Sequence, residues 1–165
     1  AGGGDVILLP EIPYRIESIA AHLKKRQKQG KVFSIVVVAE GAKNMEESLM
    51  DKKTFKKSRM NMQNSIGYRV AHELEEATGM ESRVTVLGYL QRGGTPVCYD
   101  RVLATELGAA AAHMLARGEF GKMVALQNSV VVGVPLEDVA GKIKQVPLDH
   151  PVLSSAREVG TCFGD

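Results

Sequence analysis

Apolar residues along the chain form short continuous runs separated by helically spaced stretches, which predicts strands alternating with helices. Residues 6–9 are an apolar run closed by Pro10, so we expect a buried strand there. In residues 17–30 apolar positions recur at spacings of three and four, basic residues follow, and Gly30 ends the pattern, which predicts a helix. The Val/Ile/Phe run at 32–38 is typical of a strand buried on both faces of a parallel sheet.

The following segments continue this alternation. Residues 42–59 are charged and weakly periodic, which indicates a loop with short helical pieces. In residues 61–78, an apolar residue recurs every four positions (Met62, Ile66, Val70, Leu74), so we expect an amphipathic helix closed by Gly79. The β-branched run at 84–87 predicts a further strand, and the glycine-containing segment 91–96 predicts a turn with a phosphate-sized cavity.

The last third predicts a helix, a pair of strands and a final helix, at residues 100–117, 122–126, 130–134 and 136–145. Strands alternating with helices are the pattern of a right-handed crossover fold. We therefore expect an α/β fold with a mostly parallel sheet flanked by helices.

Composition excludes several classes of protein. The chain has 165 residues, of which 44% are apolar and 24% charged, as in an ordinary globular domain. Its formal net charge of +2 gives no overall basic field for nucleic acid. No apolar run is long enough for a membrane span, and Cys98 and Cys162 form no disulfide framework or zinc motif, so we expect a reducing, cytoplasmic setting. The first residues lack an initiator Met and a signal peptide, so we expect the chain to begin inside a longer protein.

Polar groups follow two of the predicted strands. Glu40 lies just beyond the strand at 32–38, and Tyr89 and Arg92 lie just beyond the strand at 84–87. Ligands of open α/β sheets bind at these carboxyl ends. A carboxylate accepts hydrogen bonds from sugar hydroxyls, and a guanidinium binds a phosphate through two N–H groups. The pattern therefore favours a sugar-phosphate site, with an ordinary Glu–Arg surface pair as the alternative.

Arg83 stands at the opposite end of the predicted strand from Tyr89. At roughly 3.3 Å per residue the two would lie about 20 Å apart, so one pocket of one chain cannot easily use both. Arg83 is then either a surface arginine or a residue that completes the pocket of a partner subunit.

Other motifs are weaker. Residues 72–76, H-E-L-E-E, resemble a zinc-protease helix, but the fifth position is Glu rather than His, which favours a solvated helix face and no metal. The basic segment 52–59 could contact nucleic acid, although such runs usually cover a solvated surface, so we expect no nucleic-acid partner. Gly121 and Lys122 lack the upstream glycine of a P-loop and precede a strand.

The string V-L-G-Y-L-Q-R-G-G-T-P at 86–96, followed by Y-D-R at 99–101, resembles the substrate-site signature of the 6-phosphofructokinases, whose donor is ATP or pyrophosphate. Residues 2–11, 36–41 and 125–128 resemble that family in the same order. The resemblance spans nearly the whole chain. It implies the C-terminal half of a subunit about twice as long, with a phosphofructokinase-like α/β fold that is incomplete without the N-terminal half. It also implies phosphorylation of fructose 6-phosphate to fructose 1,6-bisphosphate in glycolysis.

Carried over residue by residue, the resemblance places Glu40, Tyr89 and Arg92 in the fructose 6-phosphate site. It implies that Glu40 binds sugar hydroxyls and Arg92 binds the 6-phosphate. Arg83 matches a position that reaches into the neighbouring subunit's site, which implies a homo-oligomer with shared active sites. Many ATP-dependent bacterial members carry His at the position of Tyr89, and a Tyr is similar to pyrophosphate-dependent or mixed members.

The family's donor-phosphate loop, its catalytic T-I-D-x-D loop and its M-G-R segment are all absent from this sequence. The resemblance therefore implies that no catalytic residue and no metal ligand belong to this chain, that Mg²⁺ and the donor bind the other half, and that this chain alone is inactive. Gly3, Asp5 and Lys31 match the nucleotide effector site of allosteric bacterial members, with Asp5 in place of the commoner Glu.

The family's anatomy also predicts three segments. Residues 1–92 would form part of the substrate-binding domain, 93–130 would pack on the N-terminal domain, and 131–165 would form the C-terminal return and tail. The alternative to an enzyme portion is a noncatalytic α/β module that senses a sugar phosphate or a nucleotide. The length of the natural open reading frame would separate the two.

Overall fold

The computed structural model describes residues 2–60 and 65–165. These residues form two compact units. The first contains the chain up to Val86 together with Gln145–Asp165, and the second contains Leu87–Lys144.

The first unit is built on a short parallel strand pair. Strand β1 (Val6–Leu8) pairs with β2 (Val36–Val38), and helix α1 (Ile16–Lys28) forms the crossover that a parallel pair requires. The expected strand at 32–38 is too long, because β1 offers partners only from Val36 onward. Without a neighbouring strand the preceding residues lie in solvent, where Val32 is 97% exposed and Phe33 73%.

Three helices follow β2, namely α2 (Met45–Leu49), α3 (Lys52–Met60) and α4 (Ile66–Thr78). Most of the segment expected to be a loop with short helical pieces is thus helical. In α4, the side chains of Ile66, Val70 and Leu74 are buried, as the four-residue spacing predicts. Gly79 ends this helix in the left-handed conformation at φ 73°. The predicted start at residues 61–64, including Met62, lies outside the described residues.

The core of the first unit joins both strands to α1 and α4. Its largest fully buried side chains are Tyr14, Leu8, Ile19, Val6 and Val70. Burial of side chains of this size is the main favourable contribution to folding, roughly 1.5 to 3 kcal/mol each. This part of the fold therefore has a core of its own.

The second unit begins with α5 (Gly88–Arg92) and α6 (Cys98–Ala116) and continues into an antiparallel hairpin of β3 (Lys122–Gln127) and β4 (Val130–Pro135). The hairpin turns at Asn128 and Ser129, both at positive φ, as a two-residue turn of this kind requires. Helix α7 (Leu136–Val139) follows and is shorter than the helix expected at 136–145.

The strand expected at 84–87 is wrong. These residues are irregular, Val86 is 60% exposed, and Leu87 precedes α5 directly. A strand forms only where its backbone groups pair with a neighbour. Within the described ranges, residues 84–87 pair with neither β1 nor β2, and the edge of β1 opposite β2 is contacted at Val6 by Cys162.

The chain then returns to the first unit through α8 (Pro151–Glu158), a helix that the sequence pattern did not reveal. Pro151 begins it, and the His150 ring nitrogen Nδ1 accepts a hydrogen bond from the Val152 N–H. A second small core forms here from Ile12, Leu153 and Phe163. Across residues 2–60 and 65–165, every helix is too short or too polar to cross a membrane.

Candidate functional site

Glu40 stands on a tightly held turn at the carboxyl end of β2. The turn is closed by a hydrogen bond of 2.9 Å from the Ala42 N–H to the Ala39 carbonyl, and the Ala39 N–H is bonded to the Leu8 carbonyl at 3.0 Å. Gly41 fits closely, because a Cβ at that position would lie 3.2 Å from Cγ of Pro10. The Glu40 side chain itself is exposed. The carboxylate is therefore presented to solvent from a backbone with little freedom.

Tyr89 and Arg92 both lie on the short helix α5 of the second unit. Residues three apart on a helix are neighbours, so the phenol and the guanidinium share one face. Both side chains are exposed, Tyr89 by 90%. The sequence predicted a turn beginning at residue 91, whereas the structure has helix through Arg92 and an irregular segment only after it. Glu40 belongs to the first unit.

Arg83 forms a surface ion pair. Its Nε lies 3.1 Å from Oε1 of Glu81, and the two side chains are 87% and 74% exposed. The separation of about 20 Å expected from Tyr89 was calculated for a strand at 84–87, and those residues are irregular. Arg83 is accessible to a partner, and its role toward a neighbouring subunit stays a prediction.

Among the residues matched to an effector site, the Asp5 carboxylate already has protein partners. One of its oxygens lies 2.8 Å from the Arg26 guanidinium, and the other accepts a hydrogen bond of 2.8 Å from the Ile35 N–H. Asp5 thus ties the start of β1 to α1 and to the segment before β2. Gly3 has a positive φ of 85°, and Lys31 is exposed just beyond α1. An effector role for these residues stays a prediction.

A buried ionic cluster beside the Glu40 turn was missed by the sequence reasoning. Its centre is Glu47, which is 4% exposed. Arg69 binds both Glu47 oxygens, at 2.7 and 2.9 Å, and also donates to the Tyr14 hydroxyl at 2.8 Å. Arg59 donates to Glu47 at 3.1 Å and to the Ala42 carbonyl. The Asn44-x-x-Glu47 spacing of a helix capping box was the available sequence signal.

Burial and ion pairing act against each other in this cluster. Burial alone would raise the pKa of the Glu47 carboxyl, but hydrogen bonds from Arg69 and the Asn44 N–H, with the charges of Arg69 and Arg59, hold that pKa below its ordinary value. Glu73 lies 3.7 Å from Nε of Arg69, and burial raises the pKa of its carboxyl. Burial also raises the pKa of the Tyr14 hydroxyl, although Arg69 opposes that shift. Glu47 is therefore the ionised member to which both arginines bind.

The residues of the weaker sequence motifs lie mostly in exposed positions on α3 and α4. His72 makes an exposed pair with Glu76, 3.5 Å apart, on the solvent side of α4. Within the described ranges, no three His, Cys, Asp or Glu side chains are grouped so that they could hold a metal ion. In the basic segment, the Lys side chains of α3 are exposed, while Arg59 points into the Glu47 cluster and Phe55 packs under Lys43 and Arg59.

Comparison with known proteins decides the family. A family profile described as "Phosphofructokinase" matches residues 1–115. The chain belongs to the phosphofructokinase family. Among curated relatives, the ATP-dependent 6-phosphofructokinase of Spirochaeta thermophila is 63% identical over 100% of this chain and 45% of its own length. The ATP-dependent 6-phosphofructokinase of Propionibacterium freudenreichii is 51% identical over 100% of this chain and 49% of its own length.

Solved structures agree on the phosphofructokinase fold. A pyrophosphate-dependent phosphofructokinase from Nitrosospira multiformis superposes with a TM-score of 0.63 at 21% identity, over 97% of this chain and 41% of that one. Phosphofructokinase from Saccharomyces cerevisiae gives a TM-score of 0.59 at 26% identity, over 82% of this chain and 17% of that one. These likenesses confirm the α/β class expected from the sequence. The chain spans about half the length of the curated relatives described above.

Proposed function

We propose that this chain is the part of a 6-phosphofructokinase that binds fructose 6-phosphate, in an enzyme that transfers a phosphoryl group to it from ATP. The observation that carries the proposal is the 63% identity, along the whole chain, to a relative named ATP-dependent 6-phosphofructokinase. At that identity the donor of the relative is a better guide than Tyr89 alone, whose resemblance to pyrophosphate-dependent members concerns one position. The product would be fructose 1,6-bisphosphate, as glycolysis requires.

Three side chains would bind the sugar phosphate, each from its own exposed position. Glu40 is an acceptor for sugar hydroxyls, and Arg92 can donate two parallel hydrogen bonds to the 6-phosphate. Tyr89, one helical turn from Arg92, can donate its hydroxyl to the same ligand. We thus expect α5 to bind the phosphate group and the turn after β2 to bind hydroxyl groups of the sugar.

The donor and its Mg²⁺ belong to the other half of the enzyme in this proposal. Phosphoryl transfer needs groups that place the donor, neutralise its charge and accept the proton of the attacking hydroxyl. No cluster of side chains in the described residues fits a metal ion, and the proposal assigns no Mg²⁺ ligand to this chain. The enzyme would act in the cytoplasm as a homo-oligomer, with Arg83 of one subunit reaching the fructose 6-phosphate site of the next. Gly3, Asp5 and Lys31 would face an effector.

The proposal is tested by assaying the purified full-length protein for fructose 1,6-bisphosphate formation with ATP and with pyrophosphate in turn. We expect turnover with ATP and fructose 6-phosphate. A protein that binds the sugar phosphate without turnover with either donor would instead be a noncatalytic sensor. Turnover with pyrophosphate alone would overturn the assignment of ATP as the donor.

Shared sites are tested by complementation. Arg83→Ala and Arg92→Ala would each inactivate sites in a homo-oligomer, but through different subunits. Mixed oligomers of the two variants should regain part of the activity, because some sites then receive both intact arginines. Mixed oligomers that form and stay inactive would contradict a role for Arg83 in the neighbouring site.

A further inference from the structure

The turn that carries Glu40 contacts the buried Glu47 cluster through Arg59. We propose that Arg59 and Glu47 are positioning residues for fructose 6-phosphate, which act by holding the Glu40 carboxylate in place. This inference rests on the proposed function. It concerns residues 39–44, α2, α3 and α4, all within the first unit.

Arg59 provides the direct contact with the turn. One terminal nitrogen of its guanidinium donates both to the carbonyl of Ala42, two residues beyond Glu40, and to Oε2 of Glu47 at 3.1 Å. Ala42 is completely buried, so its carbonyl has no alternative partner in bulk water. The Arg59 side chain is 17% exposed and Glu47 5%. A displacement of Arg59 would therefore remove one of the contacts that hold the far end of the turn.

Glu47 links that arginine to the rest of the unit. Its carboxylate accepts from the Asn44 N–H at 3.1 Å, while the Asn44 side chain caps α2 by accepting from the Glu47 N–H at 2.8 Å. Arg69 on α4 binds both carboxylate oxygens. The backbone of Tyr14 holds the same segment through a hydrogen bond of 2.9 Å to the Lys43 carbonyl. The segment after Glu40 is thus attached to two helices and to the loop before α1.

Such a cluster is poorly explained by stability alone. Removing charged groups from water costs free energy for each ion, and apolar side chains of similar volume often stabilise a protein as well or better. What the ions add is direction, because each hydrogen bond fixes an angle as well as a distance. A ligand-binding group must be held within roughly 0.5 Å of its working position. Glu40 is exposed and lies on a turn, so this precision has to come from its backbone.

The test uses Arg59→Met in the full-length protein, which removes the contact with Ala42 and keeps an apolar stem of similar length. We expect the KM for fructose 6-phosphate to rise about tenfold, since a misplaced binding group loses much of its contribution. The KM for the donor should stay unchanged. Arg59→Lys keeps a positive charge beside Glu47 and should therefore destabilise the fold less than Arg59→Met. It should raise the KM for fructose 6-phosphate by a smaller factor.

Arg26→Met is the matched control. The Arg26 side chain is 20% exposed and pairs with Asp5 at 2.8 Å, near the amino end of β1 rather than the carboxyl end of β2. It should lower the melting temperature to a similar extent without changing the KM for fructose 6-phosphate. Equal KM values in Arg59→Met and the parent enzyme, or an equal rise in Arg26→Met, would overturn the inference.

A double-mutant cycle then tests whether Arg59 acts through Glu40. If it does, Arg59→Met or Arg59→Lys should add little to the KM increase caused by Glu40→Gln. Fully additive effects would contradict the inference. A parent protein that neither binds nor turns over fructose 6-phosphate would instead refute the proposed function, so the two failures are distinguishable.

Discussion

Two carboxylates, Glu47 in the first unit and Glu119 in the second, each bind two cationic side chains, yet their surroundings differ. Glu47 is held by Arg59 and Arg69 with its side chain 5% exposed. Glu119 is held by Arg117 and Lys122 with its side chain 31% exposed and those partners 60% and 38% exposed. Water can replace the partners of Glu119 but not those of Glu47. The ion pairs of Glu47 therefore lie in the interior and hold a loop, whereas the ion pairs of Glu119 lie on the surface.

The apolar side chains show the same contrast. In the first unit both strands, α1 and α4 contribute side chains to one core. Among the described residues of the second unit, Met114 is the one buried apolar residue, with 6% of its surface exposed. The long helix α6 exposes Val102 by 57% and Leu115 by 60%. The first unit therefore has the larger apolar core, and the second unit exposes apolar side chains on α6.

The largest effect should come from removing the centre of the buried cluster. Glu47→Ala removes the carboxylate that Arg59 and Arg69 share, and their side chains are only 17% and 24% exposed. Loss of one partner from a largely buried ion pair typically costs about 3 to 5 kcal/mol. Urea unfolding monitored by circular dichroism measures this loss. Glu119→Ala is the matched variant in the second unit, and we expect no measurable loss from it. Similar losses in the two variants would remove the distinction between the clusters.

The same truncation on two helices compares the two units directly. Leu74→Ala on α4 removes a side chain that is 4% exposed, and we expect a loss of about 2 to 5 kcal/mol. Leu115→Ala on α6 removes one that is 60% exposed, and we expect a change within about 0.5 kcal/mol. Both are measured by the urea midpoint of this chain. A Leu115→Ala loss as large as that of Leu74→Ala would show that α6 has a core of its own.

Acid should act on the Glu47 cluster. The pKa of the Glu47 carboxyl is lower in the folded chain than its ordinary value of 4.5, so this carboxyl binds a proton less tightly in the folded state than in the unfolded state. The stabilisation is then complete above about pH 4.5 and is lost as the pH falls through the folded pKa. Glu47→Gln should flatten this part of the profile of unfolding free energy against pH. An unchanged acid slope in Glu47→Gln would contradict the assigned charge.

A smaller effect of opposite sign is expected from Glu73. Burial raises its pKa above 4.5 in the folded chain, so the wild type loses stability as the pH rises from 4.5 through that folded value. Glu73→Gln removes this loss, and its unfolding free energy relative to wild type should therefore increase across the same interval. Denaturation series at closely spaced pH values measure the difference. A constant difference at all pH values would contradict the raised pKa.

What the sequence could predict depended on local patterns. The four-residue apolar spacing placed Val70 and Leu74 in the core correctly, and a continuous apolar run placed β1. The run at 84–87 failed because a strand also needs a neighbour, which is a property of the whole fold and not of four residues. The role of Arg59 could not be read because its partners, Ala42 and Glu47, are distant in the chain.

For the candidate site, the motif at 86–96 identified the family, but it could not show that Tyr89 and Arg92 lie on a helix. The matched segment at residues 2–11 could not show that the Asp5 carboxylate is bound to Arg26. Motifs record which side chains are needed. The partners of Asp5 and Arg59 are distant in the sequence, and only the tertiary structure brings them together.

The most direct test of the central claim is the binding of fructose 6-phosphate to the full-length protein by isothermal titration calorimetry, with Arg92→Ala beside the wild type. A charged, two-bonded phosphate contact is worth about 2 to 4 kcal/mol, so the variant should bind roughly 30- to 1000-fold more weakly. Arg92→Lys should recover part of the loss. Arg117→Ala, which removes another exposed arginine of the second unit, should bind like the wild type. An unchanged affinity in Arg92→Ala would contradict the account.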